Sequence, residues 1–183
     1  MKVDGKWIFL DNHSLNNLDK MYNWSKNNEL IEIELGKINN EININDFKNN
    51  VLSSYIKNNH ESCSTFCHFG IHRKFNSELI GYTDFQNIKK NNAEFSLSIA
   101  DEMYRNKHYG IDAVITSLNY GFNIRNIENI IIRTRIDNSI VKNILIKLGL
   151  QFKIEQFTEN DYNIEIAKYE MNKNTFEYLK NKL

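Results

Sequence analysis

The sequence feature that most constrains the fold is a strand, a loop and a helix in direct succession over residues 92–126. Polar Glu94, Ser96 and Ser98 alternate with apolar neighbours, which is the period of a strand whose two faces differ. Residues 105–110 then read Arg-Asn-Lys-His-Tyr-Gly, and apolar residues follow at helical spacing. A loop that ends where a helix begins presents unpaired backbone N–H groups and the positive end of the helix dipole. The segment therefore predicts a site for a phosphate group.

Four short motifs in this part of the chain resemble those of the GNAT acetyltransferase superfamily. Residues 105–110 resemble its pyrophosphate loop, Arg/Gln-x-x-Gly-x-Gly/Ala, with His108 in place of the inner glycine. Residues 93–95 are similar to the start of its fourth strand. Residues 137–139 and 147–150 are similar to the beginning and the end of its later helix. The pattern is closest to the ribosomal-protein and polyamine acetyltransferase branches.

The resemblance extends over residues 7–170 in the order of the elements, is specific over residues 93–150, and implies the GNAT fold. That fold belongs to the α+β class and is a mixed, mostly antiparallel sheet flanked by helices. The sequence patterns give a matching order, β-α-α-β-β-β-α-β-α-β-β and a C-terminal helix, without repeats or a linker. We therefore expect a single domain over residues 1–183. The predicted strands are 7–10, 64–74, 79–87, 92–99, 129–136, 151–157 and 163–171, and the predicted helices are 15–24, 46–58, 109–126, 138–148 and 175–183.

The charge balance argues against a bulk electrostatic attraction to nucleic acid. The chain carries 23 basic and 23 acidic side chains, so its formal net charge is zero. No apolar run reaches the length of a membrane span, and the N-terminus lacks the apolar segment of a signal peptide. We therefore expect a cytoplasmic protein that binds neither nucleic acid nor a membrane.

Two cysteines, Cys63 and Cys67, lie near His60, His68 and His72, which are residue types that bind zinc. A structural zinc site usually has Cys-x2-Cys spacing, whereas these cysteines are four residues apart. The segment also reads as a strand, in which residues four apart do not form a tight pair. We therefore predict free or buried thiols, no metal site, and no disulfide in a reducing cytosol.

The resemblance implies acetyl-CoA as the co-substrate. Backbone N–H groups of the loop would face the pyrophosphate, and the strand before it would bind the pantetheine arm. His108 keeps its own N–H, and Arg105 or Lys107 can add charge. For Asn138, an N-cap of the following helix is an equally compatible role. The implied cofactor-binding residues are Leu97, Ser98, Ile99, Arg105, Asn106, Lys107, His108, Tyr109, Gly110, Ile111, Asn138, Ser139 and Lys142.

The resemblance also implies direct transfer of the acetyl group to an amine in a ternary complex. We predict Glu94 as the general base, because family members often use a glutamate on this strand; a solvated position is the alternative. Leu145 lies seven residues after Asn138, where family members with a tyrosine general acid carry it, and Val141 fills the alternative serine position. We therefore expect the thiolate to leave without a side-chain acid and to be protonated by water.

The acceptor stays open among a protein α-amine, a polyamine, an amino sugar and an aminoglycoside-like compound. By the resemblance, Trp24 would border the acceptor pocket, although a core position explains a tryptophan as well. Residues 27–44 are expected to form acceptor-gating loops. Five glutamates near the first helices either line an acidic pocket or are solvated: Glu29, Glu32, Glu34, Glu41 and Glu61.

Two further expectations concern function and assembly. His108 and Leu145 depart from the family pattern, so the alternative function is a CoA-binding sensor module without catalysis. The hairpin over residues 153–171 could pair its edge with that of a second subunit, which would give a homodimer.

Overall fold

The computed structural model describes residues 1–12, 17–27, 66–159 and 162–180. Four α-helices are described: α1 Leu18–Ser25, α2 Tyr109–Asn119, α3 Ser139–Lys147 and α4 Lys173–Lys180. The described strands are β1 Val3–Asp4, β2 Ile8–Asp11, β3 Cys67–Arg73, β4 Leu79–Lys89, β5 Asn92–Ser98, β6 Asn129–Arg135, β7 Phe152–Glu159 and β8 Tyr162–Asn172.

The eight strands form one sheet in the order β1-β2-β3-β4-β5-β6-β8-β7. Every neighbouring pair is antiparallel except β5 and β6, which are parallel. The ladder between β5 and β6 ends at the pair Phe95 and Ile132, although both strands continue. Beyond this pair, β5 stays bonded to β4 and β6 stays bonded to β8, so the sheet splits between them.

The two faces of the sheet are covered by different helices. Helices α2 and α3 pack on one face, where Leu118 and Leu145 join the main core with Phe85 and Phe95. Helix α1 packs on the other face, where its Trp24 ring lies 6.4 Å from the ring of Tyr82. The split between β5 and β6 therefore opens toward α2 and α3 on one face of the sheet and toward α1 on the other.

The predicted mixed and mostly antiparallel sheet is confirmed, with two local differences. The helix expected over residues 109–126 is α-helical only to Asn119 and continues as a π-helical turn, Tyr120–Ile124. Strand β1 was not predicted, because two residues are too few to show a period. Gly149 has the left-handed conformation expected of a residue that ends a helix, with φ of 75°. The predicted helix over residues 46–58 lies outside the described residues, and so do the predicted loops over residues 27–44 apart from Asn27.

Candidate functional site

A cavity of about 520 Å³ lies where β5 and β6 part. Its walls are the end of β5, the loop that follows, the first turn of α2 and one side of α3. This volume is in the range of small-molecule binding sites. The lining residues are Leu97, Ser98, Ile99, Tyr104, Arg105, Asn106, Lys107, His108, Gly110, Ile111, Asn138, Ile140, Val141, Asn143, Ile144 and Lys147.

The loop between β5 and α2 is fixed to the end of the strand by its own side chains. The carboxylate of Asp101 accepts a hydrogen bond from the backbone N–H of Met103. The guanidinium of Arg105 donates to the backbone carbonyls of Ile99 and Ala100, at 3.0 Å each. The guanidinium of Arg105 thus holds the loop in place. It also carries a positive charge beside the cavity.

The backbone conformation of His108 explains why a histidine is tolerated at the position where the family pattern has its inner glycine. His108 has φ of −61° and ψ of −14°, which any residue adopts. Its ring lies 5.0 Å from the Trp7 ring and 4.3 Å from the Tyr109 ring. Its side chain makes no capping hydrogen bond to α2. Gly110 and Ile111 of the first turn of α2 line the cavity as well, and a helix start presents unpaired N–H groups of the kind that bind a phosphate.

Tyr104 reaches the cavity from a network of polar side chains. Its hydroxyl donates to Glu78 at 2.8 Å and accepts from Arg73 at 2.9 Å. The hydrogen bond to the Glu78 carboxylate, followed by burial, raises the pKa of Tyr104 above its ordinary value. The guanidinium of Arg73 also donates to the hydroxyl of Tyr109 at 3.2 Å, and this contact is the main reason that the pKa of Arg73 is raised. The Tyr104 hydroxyl is thus held protonated and directed at Glu78.

Helix α3 forms the second wall of the cavity. The side chain of Asn138 accepts a hydrogen bond from the backbone N–H of Val141 at 3.2 Å, so Asn138 caps the helix and also lines the cavity. Val141 lines the cavity, whereas Leu145 is 1% exposed and lies in the main core. A tyrosine in the orientation of Leu145 would therefore point away from the cavity.

The structure brings ten of the predicted cofactor-binding residues to the cavity and leaves three outside its lining. Tyr109, Ser139 and Lys142 are the three, and the ammonium of Lys142 donates to the backbone carbonyl of Ile136 at 2.8 Å. Tyr104 and part of the α3 side of the cavity lining were not predicted from the sequence. The α3 lining residues follow Asn138 at helical spacing, and this spacing was the signal that could have identified them. The missed lining residues are Tyr104, Ile140, Val141, Asn143, Ile144 and Lys147.

Glu94 is outside the cavity lining. It lies opposite Ile131 in the closed part of the β5–β6 ladder. Its carboxylate forms an ion pair with Arg133 at 2.8 Å, and its side chain is 42% exposed. Its role as general base stays a prediction, because the position of the bound acceptor decides whether the carboxylate reaches it.

The remaining predicted residues lie elsewhere. Trp24 is buried against Tyr82. Cys67 is a buried cysteine, while His60 and Cys63 are outside the described residues. Among the residues that the structure describes, no three His, Cys, Asp or Glu side chains converge on a metal position. None of the described helices has the length and apolar character needed to cross a bilayer.

Comparisons with known proteins agree with this architecture. Residues 8–151 match the family model described as an acetyltransferase (GNAT) domain. A structure of spermidine N-acetyltransferase from Vibrio cholerae, in complex with CoA and spermine, has a TM-score of 0.76 at 17% identity, over 93% of this chain and 98% of that chain. Mycobacterium smegmatis RimJ, in complex with CoA-disulfide, has a TM-score of 0.79 at 10% identity, over 100% of this chain and 94% of that chain. No curated protein sequence matches the chain.

Proposed function

The chain belongs to the GNAT family and is an acetyl-CoA-dependent N-acetyltransferase, and we propose that it acetylates a primary amine by direct attack in a ternary complex. The observation that carries this proposal is the cavity at the split of the sheet. The first turn of α2 lies at one end of this cavity. The two similar structures described above hold CoA or CoA-disulfide, and one of them also holds spermine. The acceptor classes that we propose are a polyamine, a protein α-amine and an amino sugar.

The lining residues fit the parts of acetyl-CoA in order along the cavity. The N–H groups of residues 107–111 would bind the pyrophosphate, with Lys107 adding positive charge. The exposed edge of Leu97, Ser98 and Ile99 would bind the pantetheine amides, because this stretch of β5 has no partner strand on the β6 side. The acetyl thioester supplies the electrophilic carbon. Holding it beside the amine provides most of the rate enhancement.

The departing thiolate is proposed to take its proton from water. Leu145 is buried in the core, and Val141 offers no hydroxyl. The Tyr104 hydroxyl is bound to Glu78 and has a raised pKa, which makes it a weaker acid.

Thermal unfolding with and without acetyl-CoA tests the proposed cofactor. A ligand at a hundred times its dissociation constant adds about 2.7 kcal/mol to the free energy of unfolding. For a chain of 183 residues this corresponds to a rise in Tm of roughly 5–10 °C. If millimolar acetyl-CoA, CoA and longer acyl-CoAs all leave Tm unchanged, the cavity does not bind the cofactor and the proposal is wrong.

A second candidate function is a CoA-binding sensor without catalysis, which is favoured by the core position of Leu145 and by His108 in the loop. A sensor would show the rise in Tm but no release of CoA in the presence of amines. Release of free CoA with spermidine, a peptide with a free α-amine or glucosamine would exclude the sensor.

The prediction that Glu94 is the general base has its own test. Glu94→Gln removes the charge and keeps the shape, so turnover should fall while acetyl-CoA affinity changes little. Turnover at the wild-type level would remove Glu94 from the mechanism.

A homodimer through the β7 edge remains a prediction. Strand β7 is the last strand of the sheet, and its Ile154 is 58% exposed. Light scattering at micromolar concentration would give the mass of the species in solution, and a monomer would contradict this prediction.

A further inference from the structure

Ser96 lies at the vertex of the split in the sheet. It is the first residue of β5 beyond the last pair with β6, Phe95 and Ile132. The next residues of the strand, from Leu97 onward, line the cavity. Ser96 itself is exposed, and its side chain lies on the face opposite to the one that Phe95 shares with α2. A molecule that approaches the split from the α1 side would meet this hydroxyl.

The Ser96 hydroxyl leads to a buried carboxylate on the neighbouring strand. Ser96 Oγ donates to Asp84 Oδ2 at 3.0 Å, and the two residues are directly opposite each other in the β4–β5 ladder. The other carboxylate oxygen, Oδ1, is bound to Nδ1 of His68 on β3. Asp84 is 6% exposed and His68 is 1% exposed. Both oxygens of the carboxylate thus have a fixed partner, and one of them is directed at the split.

The burial of this pair is costly for a sheet position. Moving a carboxylate out of water costs free energy, whereas burying a well-packed apolar residue of similar size does not carry this cost. Tyr82, two residues before Asp84 on the same strand, packs against Trp24 and shows that this face accepts a large aromatic side chain. An Asp–His pair bound to an exposed hydroxyl instead has the parts of a path for a proton between solvent and a protected carboxylate.

We propose that Ser96 and Asp84 relay a proton from the acceptor amine, which rests on the acetyl transfer proposed above. The ammonium of the acceptor enters the split from the α1 side. One N–H proton passes to Ser96 Oγ while the hydroxyl proton passes to Asp84 Oδ2. The nitrogen lone pair then forms the C–N bond with the acetyl carbon, and the C–S bond breaks with its electron pair going to the sulfur of CoA. The second N–H proton leaves to water, and the thiolate takes a proton from water. Asp84 returns its proton to water through Ser96.

The relay assigns separate roles to its three members. Ser96 touches the amine and is the catalytic residue. Asp84 acts through Ser96, and His68 acts through Asp84 by holding Oδ1, so both are positioning residues. The relay competes with Glu94 for the same proton, since Glu94 lies two residues earlier on the same face of β5 but within the closed ladder.

The test compares Ser96→Ala with Ser96→Thr, which keeps a hydroxyl on a residue that suits a strand. Turnover is followed as release of CoA from acetyl-CoA with spermidine, a free α-amine peptide, glucosamine or no amine, and acetyl-CoA binding is followed by thermal shift. Ser96→Ala should lower kcat about 100-fold, which is within the range of general base catalysis. Its acetyl-CoA affinity should match that of the wild type, and Ser96→Thr should restore most of kcat.

Asp84→Asn gives a second measurement on the same path. It should lower kcat as much as Ser96→Ala, and the double variant should be no slower than Asp84→Asn alone, because the two residues act in series. Wild-type kcat in Ser96→Ala, equal losses in Ser96→Ala and Ser96→Thr, or additive losses in the double variant would overturn the relay. If Asp84→Asn does not fold, the comparison of the two Ser96 variants decides. Wild-type protein that binds acetyl-CoA but releases no CoA in any mixture would overturn the relay and leave the cofactor site standing; no binding would overturn both.

Discussion

The fold by itself does not require a glycine at position 110. A Cβ built on Gly110 would lie 3.7 Å from Ile144 Cδ1 and 3.8 Å from Ile99 Cγ1, which are ordinary contact distances. The residue belongs to the first turn of α2 and has no left-handed φ. The protein alone therefore accepts alanine here. The proposed pyrophosphate would approach the backbone closely here and leave no room for a Cβ.

We predict that Gly110→Ala weakens acetyl-CoA binding at least tenfold without lowering stability. Alanine is favoured over glycine in a helix, so the free energy of unfolding should stay equal or rise by up to about 1 kcal/mol. Calorimetric titration with acetyl-CoA and urea unfolding measure the two quantities. Unchanged affinity would mean that the pyrophosphate does not pass over this turn.

Gly149→Ala is the matched control for this prediction. Gly149 has φ of 75°, and a Cβ there would lie 2.9 Å from Leu179 Cδ2. Its substitution should cost about 1 kcal/mol of stability through the left-handed backbone and leave acetyl-CoA affinity unchanged.

Sequence reasoning located the loop residues better than their individual roles. The loop that lines the cavity was predicted because it depends on a local pattern, a strand followed by a helix start. The bonds of Arg105 to the strand end and of Tyr104 to Glu78 depend on residues brought together by the fold. The ion pair of Glu94 with Arg133 is likewise a contact between neighbouring strands.

At the scale of elements, one carboxylate attaches the N-terminal hairpin to α2. Asp112, in the first turn of α2, accepts hydrogen bonds from the backbone N–H groups of Lys6 at 2.9 Å, Trp7 at 2.5 Å and Ile8 at 3.0 Å. Asp112 is buried. These bonds fix the start of α2, and with it the loop, against the first strands of the sheet.

We predict that Asp112→Asn destabilises the protein by about 2 kcal/mol, because hydrogen bonds to a charged acceptor are lost in a buried place. Urea unfolding measures the change. Asp19→Asn is the control, since Asp19 is an exposed acidic residue in the first turn of α1. It should change stability by less than about 0.5 kcal/mol. Equal effects of the two substitutions would show that Asp112 acts only through the helix dipole.

Periodicity predicted most of these elements but not the split between them. The alternation in β5 and the apolar run of Ile130 to Ile132 indicate two strands, and both are present. The end of their ladder at Phe95 follows from how β4 and β8 hold the continuing strands. That is a property of four strands together, and a single stretch of sequence does not carry it.

At the scale of the whole molecule, Glu78 links the two faces of the sheet. Its carboxylate binds the ammonium of Lys20 on α1 at 3.2 Å and accepts from Tyr104 beside the cavity at 2.8 Å. Lys20 also forms an ion pair with Asp101 at 3.0 Å. The order of the elements along the chain did not predict this link, because its members are far apart in sequence.

The link predicts a loss of stability in acid. The hydrogen bond from Tyr104 is the largest cause that lowers the pKa of Glu78 from 4.5 to about 2. Because the pKa is lower in the folded state than in the unfolded chain, the stabilisation is complete above pH 4.5 and is lost as the pH falls towards 2. After allowance for solvent screening, the loss is on the order of 2 kcal/mol.

Urea unfolding between pH 5 and about 2.5 measures how the free energy of unfolding falls with pH. The slope should be steep in the wild type and shallower in Glu78→Gln. Glu128→Gln, which removes an exposed carboxylate near the opposite end of β4, should keep the slope of the wild type. Equal slopes in all three proteins would show that Glu78 does not link the two faces energetically.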